Sequence, residues 1–218
     1  MILTHGANSL DRGVEIGGRR YPVVKIGNQL WMAKDLDYKF DVNGSTIPVG
    51  STGLPTTPAA WYYDNDEATY GIDGTYQCGL LYNWQAANYL DTNKSTLLPD
   101  GWRVPSLSDY NSLESVISAA TGGEKLKALD DSVTSGFPSS WNGIDIYKFK
   151  ALPQGWRRND NGYIFTQFGE HAHYWLSDSV SSSNAWSFYL NASSAEVNSS
   201  QYNNKACGFA IRLVKDAT

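Results

Sequence analysis

The side chains between Trp175 and Cys207 are suited to recognition by hydrogen bonding. Serine and asparagine supply 15 of these 33 residues, and the charged residues among them are Asp178, Glu196 and Lys205. Tyrosine, serine and asparagine are favoured in antibody paratopes, because tyrosine gives contact area at a low entropic cost and small polar side chains adapt their hydrogen bonds. The composition therefore predicts a binding surface, against the alternative of a polar loop region that only keeps the chain soluble.

Residues 185–191 alternate between apolar and polar side chains, which is typical of a β-strand with two different faces. Successive side chains of a strand point to opposite sides of its sheet. The apolar set is predicted to face the core, and it comprises Trp186, Phe188 and Leu190. The polar set is predicted to face water or a partner, and it comprises Ser187, Tyr189 and Asn191.

Ligands for a metal ion are few. His171 and His173 flank Ala172 beside Glu170, so on a strand both imidazoles would lie on one face. Two ligands do not complete a zinc site, and we interpret the pair as loop or edge histidines. The acidic run at residues 63–67 could seed a structural calcium site, but we interpret it as a solvated loop. No metal and no cofactor are predicted.

Composition and missing motifs exclude several function classes. The formal net charge is −5, and no Lys/Arg cluster is longer than two residues, so nucleic acid is not an expected partner. No apolar run approaches the ~20 residues that span a bilayer, and residues 1–10 lack the pattern of a secretory signal. The absence of a G-x-S-x-G elbow, a phosphate loop and an HExxH motif removes the commonest hydrolase and nucleotide sites. We expect a protein that is not an enzyme.

Turn and capping residues predict the elements of the first half. Glycine-rich residues 1–20 are predicted to form an N-terminal arm, and residues 21–218 one folded domain. Gly27-Asn28 predicts a two-residue hairpin turn, and residues 43–58 predict a long surface loop. Apolar residues at helical spacing predict a helix over residues 79–90.

A second helix is predicted to begin after Pro105. Ser106 and Asp109 match a capping box, and Gly122-Gly123 is expected to end the helix. Strand patterns follow at residues 163–165, 173–176, 185–191 and 209–214. In the last of these, Phe209, Ile211 and Leu213 are predicted to point inward and Arg212 to the other side. Early strands, central helices and late strands predict an α+β architecture.

Six segments in order resemble the Fibrobacter succinogenes major paralogous domain family. They are residues 24–33 (VKIGNQLWMA), 79–84 (GLLYNW), 99–106 (PDGWRVPS), 151–155 (ALPQG), 174–177 (YWLS) and 208–214 (GFAIRLV). The resemblance implies a C-type-lectin-like fold, in which the N- and C-terminal strands pair beside two helices and a long loop region presents ligands. The predicted scaffold residues are Trp31, Trp84, Trp102, Trp186 and Phe209.

The same fold also supports carbohydrate-binding lectins and formylglycine-generating oxidases. The calcium-binding tripeptides of the lectins are absent, and Trp141-Asn142-Gly143 lacks the final carboxylate of their second motif, so calcium-dependent sugar binding is not expected. The oxidases need two cooperating cysteines, whereas Cys78 and Cys207 lie 129 positions apart. We interpret these as two unpaired thiols, with a disulfide or a reactive pair as the alternative.

The C-terminal segment is similar to the variable regions of proteins diversified by retroelements that mutate adenines. Such regions lie at the end of C-type-lectin-like domains and finish in a fixed Gly-Phe-x-x-Arg stretch. Mutating the adenines of an asparagine codon yields Asn, Ser, Tyr, Asp, Ala, Thr or Cys among others. The candidate ligand-binding positions are Asn184, Ser187, Tyr189, Asn191, Glu196, Asn198, Tyr202, Asn203, Asn204, Ala206 and Cys207.

The expected partner is a cell-surface protein or a glycan. With no export signal in residues 1–10, we expect the protein to reach its target in a phage virion, as a tail receptor-binding component, or at a cell surface by association. A structural or adhesive surface module of a Bacteroidetes cell is the alternative, and solution mass would distinguish the two. The oligomeric state stays open.

Overall fold

The computed structural model describes residues 13–51, 56–129, 136–137, 141–159 and 163–218, with only the backbone at 200–202. The helices are α1 (Glu67–Tyr70), α2 (Trp84–Thr92), α3 (Lys94–Leu97), α4 (Leu107–Ile117) and α5 (Ala119–Leu126). The strands are β1 (Val14–Ile16), β2 (Arg19–Tyr21), β3 (Val23–Ile26), β4 (Gln29–Met32), β5 (Asp41–Val42), β6 (Ser45–Thr46), β7 (Ala60–Trp61), β8 (Leu81–Tyr82), β9 (Trp156–Arg157), β10 (Phe165–Thr166), β11 (His171–Ser179), β12 (Asn184–Asn191), β13 (Val197–Asn204) and β14 (Val214–Asp216). Helices beside several small antiparallel sheets make this an α+β protein.

The predicted hairpin at Gly27-Asn28 is confirmed. Strands β3 and β4 pair antiparallel across it, and Gly27 has a φ of 59°, which a glycine adopts without steric cost. The last strand, β14, pairs with the other edge of β4 and places Val214 opposite Trp31. The two ends of the domain are therefore joined in one three-stranded sheet.

Side-chain caps fix where α2 and α4 start. The predicted capping box is confirmed, since the Ser106 hydroxyl accepts from the Asp109 amide at 3.1 Å and the Asp109 carboxylate accepts from the Ser106 amide at 2.9 Å. The helix predicted over residues 79–90 instead begins at Trp84. Asn83 caps it by accepting from the Ala86 amide at 3.0 Å, and β8 occupies the preceding residues.

The prediction that Gly122-Gly123 ends the second helix is wrong. Helix α4 ends at Ile117, Ser118 has a φ of 71°, and both glycines lie inside α5. Gly123 is required here for steric reasons, because a Cβ at this position would stand 2.1 Å from the carbonyl oxygen of Glu196. Glycine at this position lets a helix touch the backbone of a neighbouring turn.

The N-terminal region contributes to the core earlier than expected. Strands β1 and β2 form a hairpin that begins within the stretch predicted as an arm, and Val14 and Ile16 are buried in the core. Residues 1–12 lie outside the described residues. The predicted surface loop holds the second strand of the β5–β6 hairpin, and its residues 52–55 are also outside the described part.

The late chain forms an antiparallel sheet in the order β11-β12-β13. One face of this sheet contacts a core cluster that includes Phe188 and Leu190 of β12 with Leu113 and Ile117 of α4. Helix α5 also contacts β13. The strand at residues 185–191 is thus confirmed, and its Phe188 and Leu190 point to the core as predicted, while Trp186 is half-buried.

Residues 209–213 are not a strand, which corrects the prediction for this segment. They run between two clusters and make single bridges to Tyr82 and Tyr174. The predicted alternation is confirmed, but both sides are buried: Phe209, Ile211 and Leu213 enter one cluster. Arg212 is only 1% exposed on the other side, where it donates to Asp35 at 2.5 Å. No helix among the described residues is long and apolar enough to cross a membrane.

Candidate functional site

The candidate site is the face of the β11–β12–β13 sheet opposite α4 and α5, called here the polar face. Direct cross-strand pairs on it are His173 with Tyr189, Tyr189 with Asn198, and His171 with Asn191. Directly opposed residues of antiparallel strands share one face, so these side chains lie on the same side of the sheet. The polar face comprises His171, His173, Ser187, Tyr189, Asn191, Asn198 and Asn203.

A bulge brings Asn203 onto this surface. The register of β12 and β13 shifts between Ala185 and Ser187, so Asn203 pairs with Ala185. Its amide nitrogen donates to the Ser187 hydroxyl at 2.8 Å. An extra residue in one strand re-aims side chains in this way, and no local sequence signal indicated it.

Ser187 itself is buried, which corrects the expectation that it faces water or a partner. Its exposed fraction is 0%, with the buried Trp175 directly opposite on β11 and Asn203 bonded on the other side. The hydroxyl therefore holds Asn203 in position and is not offered to a ligand.

Rings lie side by side at the centre of the polar face. The Tyr189 and His173 rings are 5.2 Å apart with an interplanar angle of 18°, and His171 lies 5.5 Å from His173 at 8°. Phe209 and Trp156 pack against His173 at 4.8 and 5.3 Å. The register places the Asn191 and Asn198 amides directly beside His171 and Tyr189 on the same face, an arrangement that combines large contact area with hydrogen-bonding groups.

Burial keeps the histidines uncharged. His173 is 8% exposed, and desolvation lowers its pKa to about 3, with a smaller lowering from the neighbouring His171. Desolvation lowers the pKa of His171 as well. The two imidazoles share a face as predicted, and no group of three or more His, Cys, Asp or Glu side chains within the described ranges could hold a metal ion. The centre of the polar face is neutral at physiological pH.

Other candidate residues surround this centre. Tyr189, Asn191, Asn198 and Asn203 are half-buried, as are Asn184 and Asn204, and Glu196 is exposed. The Asn191 carboxamide oxygen accepts from the amide and hydroxyl of Ser193, both at 2.8 Å. Tyr202 lies in β13, but its side chain is outside what the structure describes.

Ala206 and Cys207 lie apart from the polar face. They are 9% and 3% exposed, because the chain turns inward after β13 and the Lys205 carbonyl oxygen accepts from the Trp84 amide at 2.9 Å. The Cys207 thiol lies 3.5 Å from the Asn159 side-chain oxygen. Neither side chain is presented to a ligand at the surface.

Two lysines support the site, and sequence reasoning missed both. The Lys127 ammonium donates to the Ser194 carbonyl oxygen at 2.7 Å, which fixes the turn between β12 and β13 from behind. Lys205 lies 4.1 Å from the Trp84 ring centre and donates to the Ser179 hydroxyl and the Ser181 carbonyl oxygen. These partners lie far away in sequence, so no local pattern could indicate them.

The two cysteines do not form a disulfide with each other. Cys78 packs in the cluster with Phe188, and Cys207 packs in the cluster with Phe209. Burial raises the pKa of the Cys78 thiol well above its usual value, so it stays protonated. The prediction that these thiols are not paired with each other is confirmed.

Comparison with known families gives a match over most of the chain. The model of the Fibrobacter succinogenes major domain matches residues 24–215. The matched range includes the hairpin, the capping box of α4, the polar face and the buried Arg212. No curated protein matches the sequence. The chain belongs to the Fibrobacter succinogenes major domain family.

Proposed function

We propose that this protein is a non-enzymatic ligand- or receptor-binding protein that uses the polar face. The observation that carries the proposal is the two-sided construction of β12. Phe188 and Leu190 are fully buried on one side, while Tyr189 and Asn191 are partly open on the other. Side chains on the open side can change without disturbing the core, which suits a surface whose role is recognition.

We further propose a C-type-lectin-like fold. In support, β3 and the last strand, β14, pair with the two edges of β4, α2 and α4 are the longest helices of the described residues, and long irregular connections precede β11. This order of elements agrees with the arrangement that the family resemblance implied.

Diversification by a retroelement is the third part of the proposal. The polar positions lie on a backbone fixed from behind by Lys127 and by the close approach of Gly123. A fixed backbone with replaceable polar side chains is what random adenine mutagenesis needs, because most variants must still fold. Of the candidate positions, the polar face retains Tyr189, Asn191, Asn198 and Asn203, with Asn184, Glu196 and Asn204 beside it.

The proposed ligand is a protein or glycan of a cell surface, met by the protein as part of a phage tail or of a cell envelope. The partly open Tyr189 ring and the uncharged amides of Asn191 and Asn198 favour a ligand that is bound by shape and hydrogen bonds. An oxidase role is not supported, because the two cysteines belong to different clusters and one of them stays protonated.

A display library tests the proposal. Tyr189, Asn191, Asn198 and Asn203 would be randomised to the residues reachable from an asparagine codon, and a control library would randomise Phe188, Leu190, Tyr174 and Ala172 in the same way. We expect most polar-face variants to remain folded and to yield binders to bacterial cells, whereas most control variants unfold because each loses about 2–5 kcal/mol at a core position. Equal loss of folding in the two libraries would contradict the proposal.

The gene offers an independent test of diversification. We expect the codons of residues 184–207 to align with an adenine-rich near-copy beside a reverse-transcriptase gene. Absence of such a copy would contradict diversification by a retroelement. The binding function of the polar face would then be tested by the library alone. Solution mass separates recognition from assembly, since a monomer leaves the polar face free and a structural module would bury it against a second subunit.

A further inference from the structure

A second site lies away from the polar face, in a cavity of about 440 Å³. It is formed by the segment after β4, the segment after α5, the turn at residues 145–150 and Arg212. Its volume is in the range of cavities that hold small organic molecules. None of the polar-face residues lines it, so it is a separate feature of the molecule.

A buried ion pair forms the base of the cavity. Arg212 donates to the Asp35 carboxylate at 2.5 Å, and the two side chains are 1% and 2% exposed. Arg212 also donates to the carbonyl oxygens of Phe149 and Lys150. These bonds hold the 145–150 turn against the base, so the cavity has fixed walls.

The turn at the rim has an uncommon backbone. Asp145, Lys148 and Lys150 have φ values of 43°, 58° and 55°, and Gln77, which also lines the cavity, has a φ of 52°. Left-handed conformations are uncommon for residues other than glycine, and they concentrate at binding sites where surrounding contacts enforce them. Here the Asp145 carboxylate accepts from the Lys150 amide at 3.0 Å, which fixes where both lysines leave the turn.

The charge of this cavity is opposite to that of the chain. Lys34, Lys148, Lys150 and Arg212 line it together with Asp35 and Asp145, four positive groups against two carboxylates. The chain as a whole carries a formal charge of −5. Arg212 and Asp35 neutralise each other at the base, so the excess positive charge lies at the lysines of the rim. Such a local field attracts anions.

We propose that this cavity binds a small organic carboxylate. The carboxylate lies at the lysine rim, where Lys148 and Lys150 are exposed. The apolar body of the ligand packs against Leu129 and Leu152, which line the same cavity. An apolar wall beside a few convergent charges is the usual composition of a small-molecule site.

NMR titration of the full chain labelled with ¹⁵N tests this site. The probes are hexanoate, 1-hexanol and inorganic phosphate. We expect saturable shifts of the amides around residues 33–35 and 145–150 with hexanoate, and binding about ten-fold weaker for hexanol and for phosphate, because each lacks one half of the recognised chemistry. Hexanol or phosphate binding as tightly as hexanoate would overturn the proposal, as would shifts confined to other regions or no shifts at all.

Substitutions of lysine test whether the rim of the cavity binds the carboxylate. Lys148→Asn with Lys150→Asn keeps a residue that tolerates positive φ and is expected to weaken hexanoate binding about ten-fold, whereas Lys25→Gln on exposed β3 leaves it unchanged. Equal affinity in all three proteins would refute the assignment. Tyr189→Ala with Asn198→Ala is expected to retain hexanoate binding, so failure of the proposed polar-face function and failure of this site give different results.

Discussion

Gly123 in α5 lies so close to Glu196 that a Cβ would stand 2.1 Å from the Glu196 carbonyl oxygen and 2.9 Å from that of Ala195. The Glu124 amide donates to the Ala195 carbonyl oxygen at 3.3 Å in the same contact. A helix therefore packs directly against the turn that joins β12 to β13. This contact fixes the turn between two of the three strands that carry the polar face.

The Gly123→Ala variant is expected to be destabilised by about 1–3 kcal/mol, because backbone must move to admit the methyl group. The gain of up to about 1 kcal/mol in helix propensity would not offset this displacement. Urea denaturation measures the change. Thr121→Ala in the same helix is the control and is expected to change stability by less than about 0.5 kcal/mol. A Gly123→Ala protein as stable as the native one would show that the turn between β12 and β13 can move without an energetic cost.

The His173 imidazole should make folding sensitive to acid. Its folded pKa is about 3, whereas an unfolded histidine has a pKa of about 6.5. Between these values the unfolded chain binds more protons, so stability is complete above about pH 6.5 and falls as the pH decreases toward 3. The expected loss is about 1.4 kcal/mol per pH unit within that window.

His173→Phe should remove this acid sensitivity, since phenylalanine binds no proton and fits a site already lined by rings. Denaturation at pH 7 and pH 5 would compare the variant with the native protein. His171→Phe is the matched control and should leave most of the acid loss in place, because His173 remains. Parallel stability curves for native protein and His173→Phe would contradict the assigned pKa.

Lys127 is expected to make the stability of the protein depend on pH in the alkaline range. Desolvation lowers its folded pKa to about 8 from a usual value of about 10.5. The unfolded chain binds more protons between those values, so the contribution of this lysine is complete above about pH 10.5 and is lost as the pH falls toward 8. The stability of the native protein relative to Lys127→Met should therefore increase from pH 8 to pH 10, as measured by urea denaturation. A constant difference over that range would contradict the prediction.

Because Asp35 and Arg212 form a buried ion pair, we expect the effects of their substitutions on stability to be strongly coupled. Asp35→Asn leaves a buried guanidinium without its counter-charge and is expected to cost about 3–5 kcal/mol. Asp35→Asn combined with Arg212→Met should cost less than the sum of the two single changes, because the unpaired charge is gone. A double-mutant cycle by denaturation measures this coupling, and simple additivity would show that the two side chains act independently.

Features encoded by neighbouring residues were predictable from the sequence. The capping box of Ser106 and Asp109 and the turn at Gly27-Asn28 depend on residues at most three positions apart, and both form as predicted. The period-two pattern at residues 185–191 placed Phe188 and Leu190 in the core and Tyr189 and Asn191 on the other side. The order of the six family segments predicted the family itself.

Tertiary structure alone decided the features that depend on distant partners. Gly122 and Gly123 carry the composition of a helix end, yet they lie inside α5 because another backbone packs against them. Ser187 has the polarity of a surface residue but is buried by a bulge that no local pattern encodes. Arg212 pairs with the carboxylate of Asp35, which lies 177 positions away in the sequence. A sequence pattern records what a residue favours by itself, whereas burial and pairing are set by whichever segments the complete fold brings into contact.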